Sequence, residues 1–584
     1  MKNKLTNTYL ISKSFKSYIF VSIMGLISAT IGMVIDGLFV GNLIGIKGMA
    51  AYGIASPFFI FLAAISTIFA NGGTILSSNY IGREEKDKVN LSFTLTCFIA
   101  AVTSIVIMFL SPFYVEWLSV ILGAKGNLIP LTADYILGFT IGTFSLVFSQ
   151  VLFSYTRLDN SPNLGLISVL IATIINAVLD FVFTAIFGWG MFGIGVATTI
   201  GYFFAVISLL THFFSKKNNL HLIRFNSFKE VINILRIGLP SALNRVFTMV
   251  RTIITNYLAI LIGGTIIMGA LSIQSNVNQL LSSVAMGIGM TTMLLGGVFY
   301  GEEDKRSLKD LLTISLKWGL LIIIMISILV IIFAPFIVAA FGSNPEILPV
   351  ATHSLRLFAL SLPPSLIGVI FLNFYSSINN IYMANYIAFA HSLLFISLFA
   401  CILTPFIGAN GIWLCFFLGE TTTILGLFIL IKFKSGKWPR TATDFLMLDN
   451  DFESNIKDSF EISLENDMDQ VIELSNRVQS FVDKYPNHED KLFKVSLCVE
   501  EMVGNIVKHG FDSSKTHYID IRIILVENDV IFRIRDDGKQ FNPIEYGNKD
   551  NSSENALGIA MVRKIAKNME YRSTIGLNNL TITI

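Results

Sequence analysis

The sequence predicts an all-α polytopic membrane domain of twelve transmembrane helices in two six-helix bundles, followed by a soluble α/β domain. The 584-residue chain is 53% hydrophobic and only 14% charged, whereas soluble chains are about a quarter charged. Residues 1–450 hold 26 Lys and Arg against 17 Asp and Glu, and residues 451–584 hold 16 against 23. Apolar segments of roughly 20 residues, the length that spans a bilayer, occur about twelve times in the first part.

This composition excludes several classes of protein for the bulk of the chain: a soluble enzyme, a secreted disulfide scaffold and a nucleic-acid binder. The four cysteines lack pair spacing and indicate neither a disulfide framework nor a metal site. The first apolar run is also longer than the core of a signal peptide. We predict a membrane domain over residues 1–435, a polar linker over 436–456 and a soluble domain over 457–584.

The spans and their flanking charges predict an orientation. We place the spans near 16–43, 51–78, 91–118, 132–155, 163–187, 193–214, 236–262, 266–299, 310–333, 347–376, 382–406 and 411–432. Basic residues such as Arg83, Arg157 and Lys305 fall in alternate connections. Because basic loops stay inside the cell, we expect a multi-pass protein of the plasma membrane with both termini in the cytoplasm.

The membrane domain repeats itself at an offset near 219 residues, as repeats over about 10–215 and 230–433. Asn160 aligns with Asn379, and the stretch at 80–86 recurs loosely at 299–305. Six spans per repeat give both halves the same orientation, as in transporters built from parallel repeats. The repeat therefore favours a transporter over a twelve-span assembly protein.

Four polar residues of the first half lie inside apolar spans: Asp36, Asn176, Asp180 and Thr198. A carboxylate in hydrocarbon costs several kcal/mol, so it normally faces a cavity and has a partner. Two carboxyl groups in one dry pocket can share a proton. These residues are candidates for coupling to H+ or Na+. The alternative is that each carboxylate only caps or hydrogen-bonds a kink in its helix.

The second half contains a different set of polar residues. The candidates for a substrate cavity are Arg251, Gln274, Asn276, Asn278 and Glu420. A buried guanidinium neutralises carboxylates or binds an anionic substrate group. Alternatively, an arginine near a span end extends to the interface, which we favour for Arg245. The charge of the substrate stays open on this evidence.

Three short stretches resemble the multidrug and toxic compound extrusion (MATE) transporters. They are Asp-Gly-Leu-Phe-Val-Gly at 36–41, Gly-Ile-Gly-Val-Ala-Thr at 193–198 and Gly-Leu-Pro-Ser at 238–241. The resemblance covers about residues 10–435. It implies cation-coupled antiport of small amphipathic, often cationic compounds across the lipid bilayer. It also implies that Asp36, Asn176, Asp180 and Thr198 form one polar cluster.

The sequence of the soluble domain predicts a mixture of strands and helices. We expect strands at 460–464, 519–526, 530–535, 569–573 and 579–584, and helices at 467–483, 489–509 and 557–568. Glu501 and Asn505 lie four residues apart on one predicted helix and therefore share a face. Asp536 follows a strand and can accept a hydrogen bond from an exocyclic amine, and Gly538 lets the backbone approach a flat ring. The stretch at 556–563 opens a helix whose free N–H groups suit phosphate.

Together these motifs resemble the GHKL ATP-binding fold, and more closely its anti-sigma-factor serine-kinase branch, the RsbW and SpoIIAB type. The resemblance implies that ATP is bound by Asn505, Asp536, Gly538, Gly558 and Thr581. Within that set, Asn505 would hold Mg2+, and Asp536 would bind adenine together with Thr581. Glu501 would be the general base. Two departures are Gln540, in place of a second glycine, and Ala556, in place of the first glycine of the third motif.

The leading hypothesis is an H+- or Na+-coupled efflux antiporter whose cytoplasmic ATP-binding domain regulates transport or phosphorylates a serine or threonine. A small sulfate-transporter/anti-sigma-antagonist (STAS) protein is the kinase target that the resemblance suggests. One alternative is a membrane-tethered sensor kinase with a transporter-like sensing unit. Another is an exporter or flippase of an anionic or lipid-linked compound, suggested by Arg251.

Overall fold

In the computed structural model the chain forms two compact units, Tyr18–Met447 and a second that joins Met1–Ser17 to Leu448–Ile584. The structure describes residues 6–215, 218–225, 227–341, 346–449, 451–482, 484–485, 489–511, 516–526, 529–545 and 554–584. The first unit is the membrane unit and the second the C-terminal unit. Both boundaries differ from the predicted ones at 435 and 457.

The membrane unit is mainly helical. Its helices are α1 (Tyr9–Phe39), α2 (Ile46–Gly82), α3 (Lys86–Ile121), α4 (Leu128–Thr140), α5 (Thr143–Leu158), α6 (Pro162–Phe181), α7 (Gly190–Leu210), α8 (Lys229–Gly301), α9 (Lys305–Ala339), α10 (Ile347–Ala359), α11 (Leu362–Ser377), α12 (Ile381–Phe389), α13 (Phe395–Ile407) and α14 (Ala409–Ser435). Among the described residues, ten segments are long and apolar enough to cross a membrane, or twelve if each of two bent pairs is one span. The predicted polytopic helical class is confirmed.

The internal repeat is visible in the backbone. The pair α4 and α5 meets at 47°, and the pair α10 and α11, which begins 219 residues later, meets at the same angle. Asn160 and Asn379 both have a positive φ, 58° and 57°. Asparagine tolerates this left-handed region better than most residues. The two halves therefore share bends and turns as well as sequence.

Two stretches depart from the predicted spans and linker. Helical structure continues from Lys229 to Gly301, through the connection expected near residues 263–265. The linker is ordered near its middle, where Ala442–Phe445 forms a short 3₁₀ helix. The carbonyl of Phe445 accepts a hydrogen bond from the Tyr375 hydroxyl at 2.8 Å. This contact explains why the first part of the linker belongs to the membrane unit.

The C-terminal unit is a five-stranded antiparallel sheet covered by helices, which confirms the predicted α/β class. Its strands are β1 (Asp458–Glu465), β2 (Tyr518–Leu525), β3 (Val530–Asp536), β4 (Asn568–Thr574) and β5 (Leu577–Thr583), in the order β1-β2-β3-β5-β4. Its helices are α15 (Met468–Val482), α16 (Glu489–Cys498), α17 (Gly504–His509) and α18 (Glu554–Ile565). Alternate strand residues such as Phe532 and Ile534 join Leu474 and Val478 of α15 in one core.

The N-terminal residues pack against this sheet, which the sequence did not predict. The rings of Tyr9 and Tyr518 lie 4.9 Å apart. The backbone N–H of Asn7 donates to Ser463 Oγ at 3.0 Å. Lys13 forms an ion pair with Asp537, just after β3. The start of α1 is therefore a part of the C-terminal unit.

The two halves of the membrane unit meet where α2 crosses α8, and glycines allow the close approach. A methyl group on Gly82 would overlap the carbonyl oxygen of Val298, and one on Gly301 would overlap that of Asn79. Backbone atoms cannot move away as a flexible side chain can. The crossing thus depends on the absence of side chains at these positions.

We expect Gly82→Ala to lower the free energy of unfolding of the full chain by about 1–3 kcal/mol, because the added methyl group forces the helices apart. Thermal unfolding in detergent, followed by tryptophan fluorescence, measures this change. Gly53→Ala on the same helix is the matched control, since a Cβ there meets nothing within 4 Å. Equal melting temperatures for both variants would contradict the assigned crossing.

Candidate functional site

The four polar residues predicted in the first half come together, and we call them the carboxylate cluster: Asp36, Asn176, Asp180 and Thr198. Asp36 is 5% exposed and Asp180 is fully buried. One atom of the Asn176 amide lies 2.8 Å from Asp36 Oδ1, which assigns it as the donating nitrogen. The amide oxygen then accepts from Thr198 Oγ1 at 3.2 Å.

Asn176 lies between the two carboxyl groups of this cluster: one atom of its amide is 2.8 Å from Asp36 Oδ1, and the other is 3.5 Å from Asp180 Oδ2. Two carboxylates this close in an apolar environment repel each other when both are ionised, which favours a proton on one of them. Asp180 Oδ1 is buried and has no hydrogen-bond partner among the described residues. The cluster is therefore suited to share one proton, and it leaves one Asp180 oxygen without a partner among the described residues.

Local helix geometry and apolar packing surround the cluster. Five-residue π-helical turns follow both acids, Val40–Ile44 after Asp36 and Val182–Ile186 after Asp180. Such turns are rare and frequently occur at functional sites. Aromatic side chains close one side, where the rings of Tyr52 and Tyr135 stack 5.4 Å apart. Charges here are far from bulk water.

The residues predicted for a substrate cavity in the second half differ in their exposure. Gln274 is buried and accepts a hydrogen bond from Ser354 at 2.5 Å. Asn276 is exposed, and Asn278 is half-buried. Arg251 is half-buried with its guanidinium 5.6 Å from the Phe416 ring. The structure thus separates Gln274 from any open surface.

Glu420 has a partner that sequence reasoning missed. Its Oε2 lies 2.5 Å from Nδ1 of His391, which sits in the π-helical turn Ala390–Leu394. Glu420 is 4% exposed and His391 7% exposed. The signal in the sequence was a lone histidine in an apolar span, a residue type that commonly belongs to a site when it is buried in a membrane.

Arg157 lies in a helix and not, as its charge had predicted, in a connection between spans. It lies near the end of α5, is 3% exposed, and donates through Nη2 to Ser22 Oγ at 2.6 Å. Its guanidinium also lies 5.4 Å from the Phe153 ring. Helix α5 continues one turn further than predicted, and this extension draws Arg157 into the protein. Its charge therefore gives no support to the predicted orientation.

In the C-terminal unit, Asp536 ends β3 on the helix-covered face of the sheet. Asp536 Oδ1 accepts hydrogen bonds from the Gly538 N–H and from Asn578 Nδ2, both at 2.8 Å. Burial raises the pKa of Asp536 to about 6, although these two hydrogen bonds oppose the rise. The second carboxyl oxygen stays available for an amine donor.

Thr581 does not lie beside Asp536, contrary to the expectation from the resemblance. Thr581 is paired with Arg533, and Asp536 with Asn578. Because side chains alternate between the two faces of a strand, Thr581 points to the face opposite Asp536. Asn578 takes the position that was expected for Thr581. The sequence alone does not determine which residue of β5 pairs with Asp536.

The remaining nucleotide candidates converge on the same face. A methyl group on Gly558 would overlap Glu501 Oε2, so α18 lies directly against this glutamate. The carbonyl of Gly510 accepts a hydrogen bond from the Lys539 N–H at 2.8 Å, which joins the end of α17 to the turn at Gly538. Glu501 lies in a π-helical turn, Val499–Val503, rather than in the continuous α-helix predicted.

The residues present fit ATP and Mg2+. Asn505 Nδ2 is buried without a hydrogen-bond partner among the described residues, so its amide is not committed to the fold. Mg2+ prefers a few protein oxygens together with phosphate oxygens and water. The Asn505 amide oxygen would supply the protein ligand, and the backbone opening α18 would face phosphate.

The comparisons with known proteins identify both units. The MatE family model matches residues 22–182 and 240–401. A second family model, described as the histidine kinase-like ATPase domain, matches residues 464–584. The fold and these matches define a multi-pass membrane protein of the transporter class with a C-terminal ATPase-like domain. The chain belongs to the MatE family.

Similar proteins extend over most of the membrane unit. The multidrug export protein MepA of Staphylococcus saprophyticus is 20% identical over 369 residues, 62% of this chain and 81% of MepA. The probable multidrug resistance protein NorM of Photorhabdus laumondii is 24% identical over 355 residues, 57% of this chain and 76% of NorM. An outward-facing multidrug resistance MATE transporter of the MOP superfamily has a TM-score of 0.69 at 20% identity, covering 73% of this chain and 96% of that structure.

The raised pKa of Asp536 predicts a pH dependence for the C-terminal unit. Between pH 4 and pH 6 the folded state holds a proton that the unfolded carboxyl has lost, so stability falls as the pH rises through this window. We expect a loss of at most about 3 kcal/mol. Hydrogen exchange of β3 amides in the full chain measures it. Asp536→Asn should remove the step, and a step that persists in this variant would contradict the assignment.

Proposed function

We propose that this protein is a proton-coupled antiporter that exports small amphipathic organic compounds. The carboxylate cluster carries the proposal. A transporter coupled to protons needs a group that binds a proton in one conformation and loses it in another. Two acids that share one proton inside an apolar bundle meet this requirement, because separating or hydrating them changes the number of protons bound.

Sodium is the alternative coupling ion, since two carboxylates, an amide and a hydroxyl are all oxygen donors. The burial of Asp36 and Asp180 on either side of one Asn176 amide favours the proton, because two ionised carboxylates would repel each other there. A sodium ion would need both carboxylates ionised and turned towards a common centre. The relatives named as multidrug exporters support organic compounds as the substrate class.

We expect Asp36→Asn and Asp180→Asn each to reduce gradient-driven flux of a fluorescent organic cation at least tenfold, because an amide cannot exchange a proton. Flux is measured in proteoliposomes under an imposed pH gradient and, separately, under an imposed sodium gradient. Asp134→Asn is the matched control, because this carboxylate of the same half is exposed on α4. Undiminished flux in both cluster variants would contradict the coupling assignment.

We further propose that the C-terminal unit faces the cytoplasm, binds Mg-ATP and regulates transport. Asp536, Asn505, Gly538 and Gly558 lie around one face, and the ATPase-like family match supports nucleotide as the ligand. Helix α1 supports a regulatory role, since Lys13 pairs with Asp537 beside the adenine-binding candidate and Asp36 lies in the same helix.

Asp536→Asn should weaken ATP binding to the full chain at least tenfold, since an amide presents a donor as well as an acceptor to the adenine amine. Calorimetry or a fluorescent ATP analogue measures the affinity in detergent. Asp469→Asn provides the control, as this carboxylate is exposed on α15. Binding at full strength in Asp536→Asn would exclude the adenine assignment.

Kinase activity is a second candidate function of this unit. It rests on Glu501, whose carboxylate lies against Gly558, and the proposal assigns this carboxylate the role of general base. The target would be a protein hydroxyl, and a STAS-type protein stays the predicted partner. A kinase would transfer phosphate from ATP to such a protein, and Glu501→Gln would lose this transfer while retaining ATP binding. A nucleotide sensor would transfer no phosphate.

A further inference from the structure

The second half of the membrane unit contains a buried acid–base pair that the proposed coupling site does not use. His391 Nδ1 and Glu420 Oε2 lie 2.5 Å apart, and both side chains are more than nine-tenths buried. Four elements converge on the pair: the turn Ala390–Leu394, α8, α11 and α14. An unsatisfied charge here would be costly, so the two groups depend on each other for solvation.

The neighbouring helices are shaped around this pair. On α11, Gly368 leaves space for the imidazole, since a methyl group there would lie 2.9 Å from His391 Nδ1. On α8, Asn244 bonds to Ser392, the residue after His391, and so holds the turn. A larger residue at position 368 would push the ring away from Glu420. The close fit indicates a built site rather than a chance contact.

The charged and titratable groups around the pair come from two helices. Arg251 of α8 approaches α14 with its guanidinium over Phe416, one turn before Glu420. Its charge interacts with Glu420 and with Cys415 of α14. When the pair holds one proton its net charge is zero, and when that proton leaves, the pair carries −1 beside the positive arginine. Arg251 therefore stabilises the pair in its deprotonated state, in which an unbalanced negative charge would otherwise lie inside the bundle.

The internal repeat relates this pair to the carboxylate cluster. The 219-residue offset aligns Asn176 with Phe395 and Thr198 with Phe417. His391 lies four residues before the first position, and Glu420 three residues after the second. Consecutive helices joined by a short turn run in opposite directions, so both displacements are one helical turn towards the same end. The second half thus carries its titratable pair on the corresponding helices, one turn away.

We propose that His391 and Glu420 form a second proton-binding site, so that two protons enter for each compound exported. This inference rests on the proposed antiport and adds its stoichiometry. Exchange of two protons for one monovalent cation moves one net charge across the membrane. Exchange of a single proton, carried by the carboxylate cluster alone, moves none. The membrane potential therefore distinguishes one proton site from two.

The test uses the full chain in proteoliposomes with ethidium as the transported probe. For the wild type, a membrane potential of about 60 mV should shift the steady-state accumulation of ethidium about tenfold at constant pH gradient. The double variant Glu420→Gln with His391→Gln should lose this shift and still accumulate ethidium under a pH gradient. His353→Gln is the control, because this histidine of α10 is exposed and its variant should keep the tenfold shift.

Each outcome decides the proposal. A potential-insensitive wild type, or a double variant with the full tenfold shift, overturns the second site and leaves the antiport standing. A wild type that accumulates no ethidium under any gradient overturns the antiport itself. If the double variant does not fold, Gly368→Ala decides, since it keeps both groups but displaces the ring. Retention of the full shift in Gly368→Ala would also overturn the proposal.

Discussion

The membrane unit is organised around a cluster of two acids that have been removed from water. Asp36 and Asp180 come from different helices, and neither could stay ionised alone in an apolar bundle. Asn176 donates a hydrogen bond to Asp36 and accepts one from Thr198, so the polar groups of the cluster satisfy one another. The cluster joins α1, α6 and α7, and under the proposed antiport a movement that separates these helices changes the number of bound protons.

Both halves of the membrane unit bury ionisable side chains in an apolar bundle, but they use different residue types. The backbone repeats closely, with the same 47° bend in both halves and matched left-handed asparagines. The polar side chains do not repeat: the first half has two acids and an amide, whereas the second has an acid, a base and an arginine. The duplicated scaffold therefore carries different polar groups in its two halves.

The division into two units does not follow the order of the chain. Residues from the beginning of α1 complete the C-terminal unit through Tyr9, Lys13 and Ser14, whose hydroxyl bonds to the carbonyl of Ile575. Asp537 is nearly inaccessible and is held by Lys13 together with His517. The turn next to Asp536 is therefore fixed by a segment more than 500 residues away in sequence. This ion pair joins the start of α1 to the turn beside the proposed adenine-binding residue.

Local patterns in the sequence determined the spans, the repeat, the strands of the C-terminal unit and the residues of the carboxylate cluster. These features follow from hydrophobic length, periodicity and the cost of a charge in an apolar span, all of which act over a few residues. Tertiary structure alone decided which distant side chains meet. Helix crossings bring His391 to Glu420 and bury Arg157. Strand register places Asn578, and not Thr581, beside Asp536. Crossings and register are set by packing between segments far apart in the chain, where sequence periodicity carries no information.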